Sequence, residues 1–423
     1  MSLPVPSPVW SMFCRVVDNF GDMGVCWRLA RQLQQEQVIS VQLWVDDIGA
    51  MRRFLAKADP QFEDAAVART DNVGGATITL HDWPQEGLTS SSAQLAALSD
   101  VIVEAFGCGL PLAVIQAMTQ AKTQAMTHSS RRPLWIHLEY LSAESWVDEC
   151  HSLISTLDPA TASNKADVAR PALQRHFYFP GFTESTGGLL REHDVLAGHS
   201  ATQSQPRMTV LRSLGLPHTT LIRLEQLLQQ RPDTLLVSVF CYPTPAWSSW
   251  LQAIAESEPP TVCLASATLP DTFFEAAEAA QATVIKVPFL SQANYDRLLA
   301  VCDLNIVRGE DSFVRAQWAA RPLLWHIYPQ HDDAHLAKLG AFLKRYCSVA
   351  SDEPERSACA ALVEFTQRWN SGADCRKTWH YLRPQLPQLR TQARNWQLYL
   401  AGMPDLVTLL VSYCGEVRST SKS

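Results

Sequence analysis

Short apolar runs that end in small or charged residues, each followed by a helical period, recur along this chain. The first runs from Val9 to Val17 and reads as a strand. It breaks at Asp18-Asn19-Phe20-Gly21-Asp22, after which Val25, Leu29 and Leu33 fall on one face of a helix. A second strand spans Val38 to Val45. Further strands are predicted at Ala76–Leu80, Val101–Val103 and Leu134–Leu138, and, past a break, at Leu235–Phe240, Thr261–Ala265, Thr283–Val287, Leu304–Val307 and Leu323–Ile327. Helical patterns such as Asp271–Ala280 and Tyr295–Ala300 lie between them. Strand, loop and helix in alternation predict an α/β fold with parallel sheets.

The rhythm is interrupted twice. Leu157–Arg170, rich in Ala, Ser, Asp and Asn, reads as a surface loop before His176-Phe-Tyr-Phe-Pro-Gly-Phe and the Gly187-Gly188 pair re-enter packed structure. Ala197–Pro206, with Gly, Ser, Gln and a proline, reads as a linker. The expected organisation is a first α/β domain over residues 1–196, a second over 207–388, and a helical tail over 389–423 that is interrupted near Met403-Pro404. A chain of 423 residues can fill two such cores, and two α/β domains facing a central cleft is the architecture expected.

Composition narrows the function more than the fold. The chain is 47% hydrophobic and 18% charged, ordinary for a globular protein. Its net charge is −7 and it has no block of Lys or Arg, which argues against bulk nucleic acid or an anionic membrane as the main partner. Eleven cysteines stand singly, with no C-x-x-C pair and no zinc spacing, the usage expected of reduced thiols in the cytoplasm. The N-terminus lacks the features of a signal peptide, and no unbroken apolar run reaches about 18 residues. Neither a P-loop, nor a G-x-G-x-x-G after a strand, nor a G-x-S-x-G elbow occurs, so phosphate-loop, standard NAD and hydrolase chemistries are disfavoured.

Two loops at strand ends carry the candidate chemistry. The first holds Asp18, Asn19, Gly21 and Asp22 where open parallel sheets bind ligands. A catalytic carboxylate pair and a helix cap with a turn residue account for Asp22 and Asp18 equally well. The second is Arg308-Gly-Glu-Asp-Ser, where a strand ends and a helix begins. A helix start of this kind suits a diphosphate, and Glu310 can accept from a ribose hydroxyl; first-turn acids and a Ser cap explain Glu310, Asp311 and Ser312 as well. Phe289 and Gln292 follow another strand and suit a base, by stacking and by edge pairing, although a phenylalanine there is commonly core. Phe240 and Tyr242 are similarly ambiguous. His326, Tyr328, His331, Asp332 and Asp333 form a polar cluster whose spacing matches no metal box.

These stretches resemble the bacterial EarP family, the protein-arginine rhamnosyltransferases of elongation factor P. The resemblance covers nearly the whole chain. It rests on Phe13-Cys-Arg-Val-Val-Asp-Asn-Phe-Gly-Asp-Met-Gly-Val-Cys-Trp-Arg, on Trp135-Ile-His-Leu-Glu-Tyr-Leu-Ser-Ala-Glu, on Phe177-Tyr-Phe-Pro-Gly-Phe with Gly187-Gly-Leu-Leu-Arg-Glu, and on Arg308-Gly-Glu-Asp-Ser-Phe-Val-Arg-Ala-Gln-Trp. It implies a GT-B glycosyltransferase fold: an acceptor-side first Rossmann-like domain, a nucleotide-sugar-binding second one, and C-terminal helices that cross back to the first. It further implies inverting transfer of rhamnose from dTDP-β-L-rhamnose, without a metal or other cofactor, to one arginine of elongation factor P, activating that factor for polyproline-stalled ribosomes. By position, Asp18 and Asp22 match the catalytic aspartates. Glu310, Asp311 and Ser312 match the ribose and diphosphate motif, Phe289 and Gln292 the thymine site, and Tyr242 and Phe240 the aromatics of the donor pocket. Asn19 and Gly21 fall with them on the donor side. His137 departs from the asparagine expected there. A GT-B enzyme using a small acceptor or acting on the sugar nucleotide in epimerase fashion, and a non-catalytic module binding a translation factor, are the competing readings.

Overall fold

The computed structural model describes residues 7–16, 21–59, 75–84, 86–120, 132–157, 172–244, 246–330 and 333–420. Two compact units emerge. The first comprises Met1–Ala56, Pro60–Glu192 and Met403–Ser423; the second comprises Lys57–Asp59 and His193–Gly402.

The first unit is built on a seven-stranded sheet: β1 (Val9–Cys14), β2 (Ser40–Val45), β3 (Ile78–Asp82), β4 (Val101–Ala105), β5 (Leu134–Leu138), β6 (Ile154–Leu157) and β7 (Leu173–Tyr178). Their order is β3-β2-β1-β4-β5-β7-β6. All pairs are parallel except β6 with β7. The order reverses at β1, so the loops after β1 and β4 stand at the switch point where such sheets bind ligands. Phe13, Trp44, Trp83, Ile102 and Trp135 share one buried cluster, with Phe13 stacked on Trp44.

The second unit repeats the plan with β8 (Leu235–Val239), β9 (Thr261–Ser266), β10 (Val284–Val287), β11 (Leu304–Arg308) and β12 (Leu323–His326), ordered β10-β9-β8-β11-β12 and parallel throughout. Here the switch point lies between β8 and β11. Leu224, Leu236, Val262, Leu264, Ile285 and Leu298 fill its core. Two Rossmann-like α/β units of this kind make up the GT-B fold.

Two expectations change. The stretch read as a linker, Ala197–Pro206, is for the most part the helix Val195–Gln203, in which Val195, His199 and Thr202 are buried. Its Gly, Ser and Gln content imitates a linker, but Gln203 Nε2 reaches the Ala319 carbonyl at 2.7 Å and docks the helix within the second unit. The boundary between units falls earlier, after Glu192. The tail also divides differently. Helix Leu386–Ala401 belongs to the second unit, where the indole N–H of buried Trp396 donates to Gln317 at 2.8 Å. Only the segment from Met403 returns to the first unit, carrying helix Leu406–Thr420. One stretch, Arg376–Thr420, is apolar and long enough by composition to cross a membrane. It is broken into separate helices and buries Trp379, Trp396 and Leu410.

The returning segment lands on the Gly187-Gly188 pair. Gly188 has φ +69° and brings its backbone against Pro404, whose carbonyl would sit 2.8 Å from any Cβ added there. The Leu406 N–H then donates to the Leu189 carbonyl at 2.9 Å. Helix Gly21–Gln37 joins the same seam: Gln32 Nε2 donates to Asp405 at 3.0 Å and to the Arg191 carbonyl at 2.9 Å. A Cβ on Gly187 would overlap the Tyr178 ring. Gly187→Ala is therefore expected to cost about 2 kcal/mol by overpacking, read as a lowered thermal midpoint. Gly198→Ala, where a Cβ meets open space on a helix, is the control that should not fall.

Candidate functional site

In the first unit, helix Gly21–Gln37 starts just after β1. Asp22 lies inside its first turn, one residue past the helix start, rather than at the capping position that its spacing suggested. It is only 4% exposed. A carboxylate there benefits from the positive end of the helix dipole. Asp18 and Asn19 lie outside the described residues; Gly21 is described and half-buried. The helix is buried almost all round, so its Val25–Leu29–Leu33 stripe understates how deeply it is set. The Cys14 thiol, at the end of β1, is raised well above the usual range by its hydrogen bond with Cys26 and by burial, with Asp22 and Asp46 adding negative charge nearby. Asp46 accepts from the Val16 N–H at 2.8 Å and holds the end of β1 in place.

Further along the same sheet edge, the structure assembles a group that the sequence presented only as an anomaly. The β4–β5 pairing sets Glu104 opposite His137. His137 Nδ1 lies 3.1 Å from Glu104 Oε2, and Nε2 lies 2.9 Å from Glu139 Oε1. Burial opposes a charge on His137, but the Glu104 and Glu139 carboxylates beside it outweigh burial and push the imidazole up to about 9. Glu104 is correspondingly lowered: burial raises it, and His137 and Arg175 overcome that. The sign for stability follows. A folded pKa raised above the ordinary 6.5 adds stability that is complete below pH 6.5 and is lost as pH rises through about 9. The amount is about 3 kcal/mol. Thermal midpoints should fall between pH 6.5 and 9.5 more steeply in the native chain than in His137→Asn; parallel curves would refute the assignment.

In the second unit, β8 and β11 are neighbours and their carboxyl ends bring Phe240 and Tyr242 together with Glu310, Asp311 and Ser312, whereas Phe289 and Gln292 follow β10. Gly309 turns the chain out of β11 with φ +61°, a conformation suited to glycine. The Trp325 indole N–H donates to the Gly309 carbonyl at 2.8 Å and fixes that turn. Glu310 is the N-cap residue and is half-buried; helix Asp311–Trp318 follows. The Ser312 hydroxyl donates back to the Arg308 carbonyl, so at this helix start the main-chain N–H groups and the Glu310 and Asp311 carboxylates are the groups presented. Gln292 opens helix Gln292–Val301, and its Nε2 lies 3.5 Å from Asp311 Oδ2. That joins the expected base-edge residue to the helix start. Phe289, just past β10, is half-buried.

Phe240 and Tyr242 have a partner that the sequence reading passed over. The Arg308 guanidinium carbon stands 4.4 Å from the Phe240 ring centroid and 4.8 Å from that of Tyr242. A planar cation laid on two rings is preorganised for a phosphate beside it. The one available signal was an arginine ending a strand before a helix start. His326 turns out to be a brace. Its Nδ1 accepts from the Tyr242 main-chain N–H at 3.3 Å and the Trp369 indole N–H at 3.1 Å. Burial, with Arg308 and His335 nearby, lowers it to about 3, so the ring is neutral and holds Tyr242 in place. Tyr328 packs edge-on against Tyr242 at 5.5 Å. His331 and Asp332 lie outside the described residues, and Asp333 stands at the N-cap position of helix Ala334–Cys347 with no capping bond from its side chain.

The second unit thus gathers Phe240, Tyr242, Gln292, Arg308, Glu310, Asp311 and Ser312 at one strand-end site, and the first unit holds Asp22 at the equivalent edge of its own sheet. Comparison with known proteins identifies the family. The family model for the elongation factor P rhamnosyltransferase EarP matches residues 10–415. The chain is 39% identical to a protein-arginine rhamnosyltransferase of Pseudomonas putida, covering 96% of this chain and 98% of that one. A protein of the same name from Shewanella oneidensis is 35% identical over 96% of this chain and 97% of its own length. A solved structure described as the basis for EarP-mediated arginine glycosylation of translation elongation factor EF-P superposes with a TM-score of 0.57 at 29% identity, covering 96% of this chain and 98% of that one. The chain belongs to the EarP family of protein-arginine rhamnosyltransferases.

Proposed function

We propose that this enzyme transfers L-rhamnose from dTDP-β-L-rhamnose to the side chain of one arginine of elongation factor P, with inversion and without a metal, and so activates the factor for polyproline-stalled ribosomes. The observation that carries this reading is the site of the second unit: a cation laid on two aromatic rings, beside a helix start flanked by carboxylates, answers to a diphosphate joined to a ribose. Arg308 and the helix N–H groups take the diphosphate charge, and Glu310 accepts from the ribose. Phe289 and Gln292 receive the thymine. The eleven free thiols suit a reducing cytoplasm, where the translation factor is found.

The acceptor is the chemical difficulty. A guanidinium has a pKa above about 12 and no available lone pair at neutral pH. In this reading Asp18 and Asp22 bind and polarise it, and Asp22 takes the proton as the nitrogen bonds to the anomeric carbon. So weak a base works only when proton loss accompanies attack and the groups are held in near-attack geometry. The diphosphate leaves as the C–O bond breaks, its charge already balanced by Arg308 and the helix dipole.

The decisive experiment incubates the protein with dTDP-L-rhamnose and elongation factor P and weighs the factor intact. A gain of one deoxyhexose, mapped to an arginine, is expected. Donor consumption without a protein product would instead indicate a small acceptor or sugar-nucleotide chemistry. Factor binding without donor binding would indicate a non-catalytic module.

A further inference from the structure

The reading above leaves Glu104, His137 and Glu139 unused, although burying two of these ionisable groups, Glu104 and His137, is costly. Their arrangement is directional. Glu104, with 3% of its side chain exposed, is fully engaged: Oε1 accepts from the Gly109 N–H at 3.0 Å, and Oε2 from the Trp135 indole at 3.0 Å, besides facing His137. Glu139 lies at the outer end of the row. Its Oε1 is held by His137, and 27% of its side chain is exposed. The row therefore carries a net negative charge from an internal anchor to a carboxylate that meets solvent at the carboxyl end of β5.

That end is the edge that carries Asp22. The Cys108 thiol donates to the Phe13 carbonyl at 3.4 Å, and Gly109 binds Glu104, so the loop after β4 ties the row to the end of β1. The same loop contains Phe106, a non-glycine residue at φ +57°, whose ring stacks on Tyr140 at 4.6 Å. Backbone strain of this kind is concentrated at binding sites. A carboxylate beside a stacked aromatic pair matches the two faces of a guanidinium, planar above and hydrogen-bonding at its edge.

We propose that Glu139 binds the guanidinium of the acceptor arginine along its non-reacting edge, and that His137 is a positioning residue, clamped by Glu104, that holds the Glu139 carboxylate in place. This rests on the reading of the first unit as the acceptor side. The acceptor arginine keeps its charge across the accessible pH range, so the pH response belongs to the row. The charged groups facing His137 are Glu104 and Glu139, with Arg175 of β7 near Glu104. Once His137 loses its proton, its charge no longer pairs with either carboxylate.

A binding cycle tests this without requiring turnover. The affinity of native enzyme and Glu139→Gln is measured for elongation factor P and for the factor with its target arginine replaced by alanine. Expected is a loss of about tenfold or more in Glu139→Gln with the native factor, little further loss with the alanine factor, and unchanged affinity for dTDP-L-rhamnose. His137→Asn should show part of the loss, and the native enzyme's acceptor KM should rise as pH passes about 9, a step absent from both variants. Equal weakening toward both factors, or none, overturns the proposal. Absence of rhamnosyl transfer by the native enzyme overturns the functional reading instead, and the binding cycle still decides whether Glu139 meets the guanidinium.

Discussion

Asp22→Asn is expected to slow rhamnosyl transfer by about 10³-fold while donor affinity stays within about twofold. The size reflects two losses in one isosteric change. The amide cannot take the proton from the attacking nitrogen, and it no longer offers a charge to orient the guanidinium. Because Asp22 is 4% exposed at a helix start, the replacement keeps its packing and hydrogen-bonding shape, so a folding defect is not expected to intervene. The measurement is a time course of the intact mass of elongation factor P, with donor affinity by titration calorimetry. Near-native rates would move the base to another group, Asp18 foremost. A lost donor affinity would mean that Asp22 serves the donor.

Arg308→Ala is expected to weaken donor binding by about 10–100-fold, the range for a charge-assisted contact. It also leaves Phe240 and Tyr242 without the cation they frame at 4.4 and 4.8 Å. Arg308→Lys restores charge without the planar fork or the stacking, and should recover only part of the affinity. Calorimetric titration with dTDP-L-rhamnose reads both variants. Salt separates the causes: native affinity should fall with ionic strength more steeply than that of Arg308→Ala. Affinity unchanged in Arg308→Ala would remove the arginine from the donor site and leave the diphosphate to the helix N–H groups alone.

Much of the architecture was legible along the chain. Leu134–Leu138 was read with both its ends in place, and Leu235, Thr261 and Leu304 were each read as the first residue of their strand. These strands are buried on both faces and bounded by polar or turn residues, so the signal is local and strong. Ile154–Leu157 and Leu173–Tyr178 escaped because the first has no fully buried position and the second mixes buried with half-buried and exposed ones, both beside a long polar stretch. The helix at Val195–Gln203 escaped for a related reason: its stability comes from docking rather than from composition.

The site divides along the same line. The chemistry-bearing residues after β1, β10 and β11 were visible because a strand end followed by Gly, Asp, Glu or Ser is a pattern within a few residues; those after β8, Phe240 and Tyr242, stayed ambiguous. What those residues touch was not. Arg308 reaches Phe240 across neighbouring strands, His326 reaches Trp369 of helix Glu353–Ser371, and His137 meets Glu104 from the adjacent strand. Each contact joins residues far apart in the chain, and its partner is selected by sheet order and register. The sequence by itself determined two α/β halves and their strand-end loops, because hydrophobic period and turn chemistry act over short spans; the donor roles of the residues in those loops are what the family resemblance implies. Only the tertiary structure decided where the first unit closes, with the return at Met403 seated on Gly188. It alone made His137 a clamp between two glutamates and Arg308 a cation held on two rings, because long-range pairing brings together charges and rings that no local pattern connects.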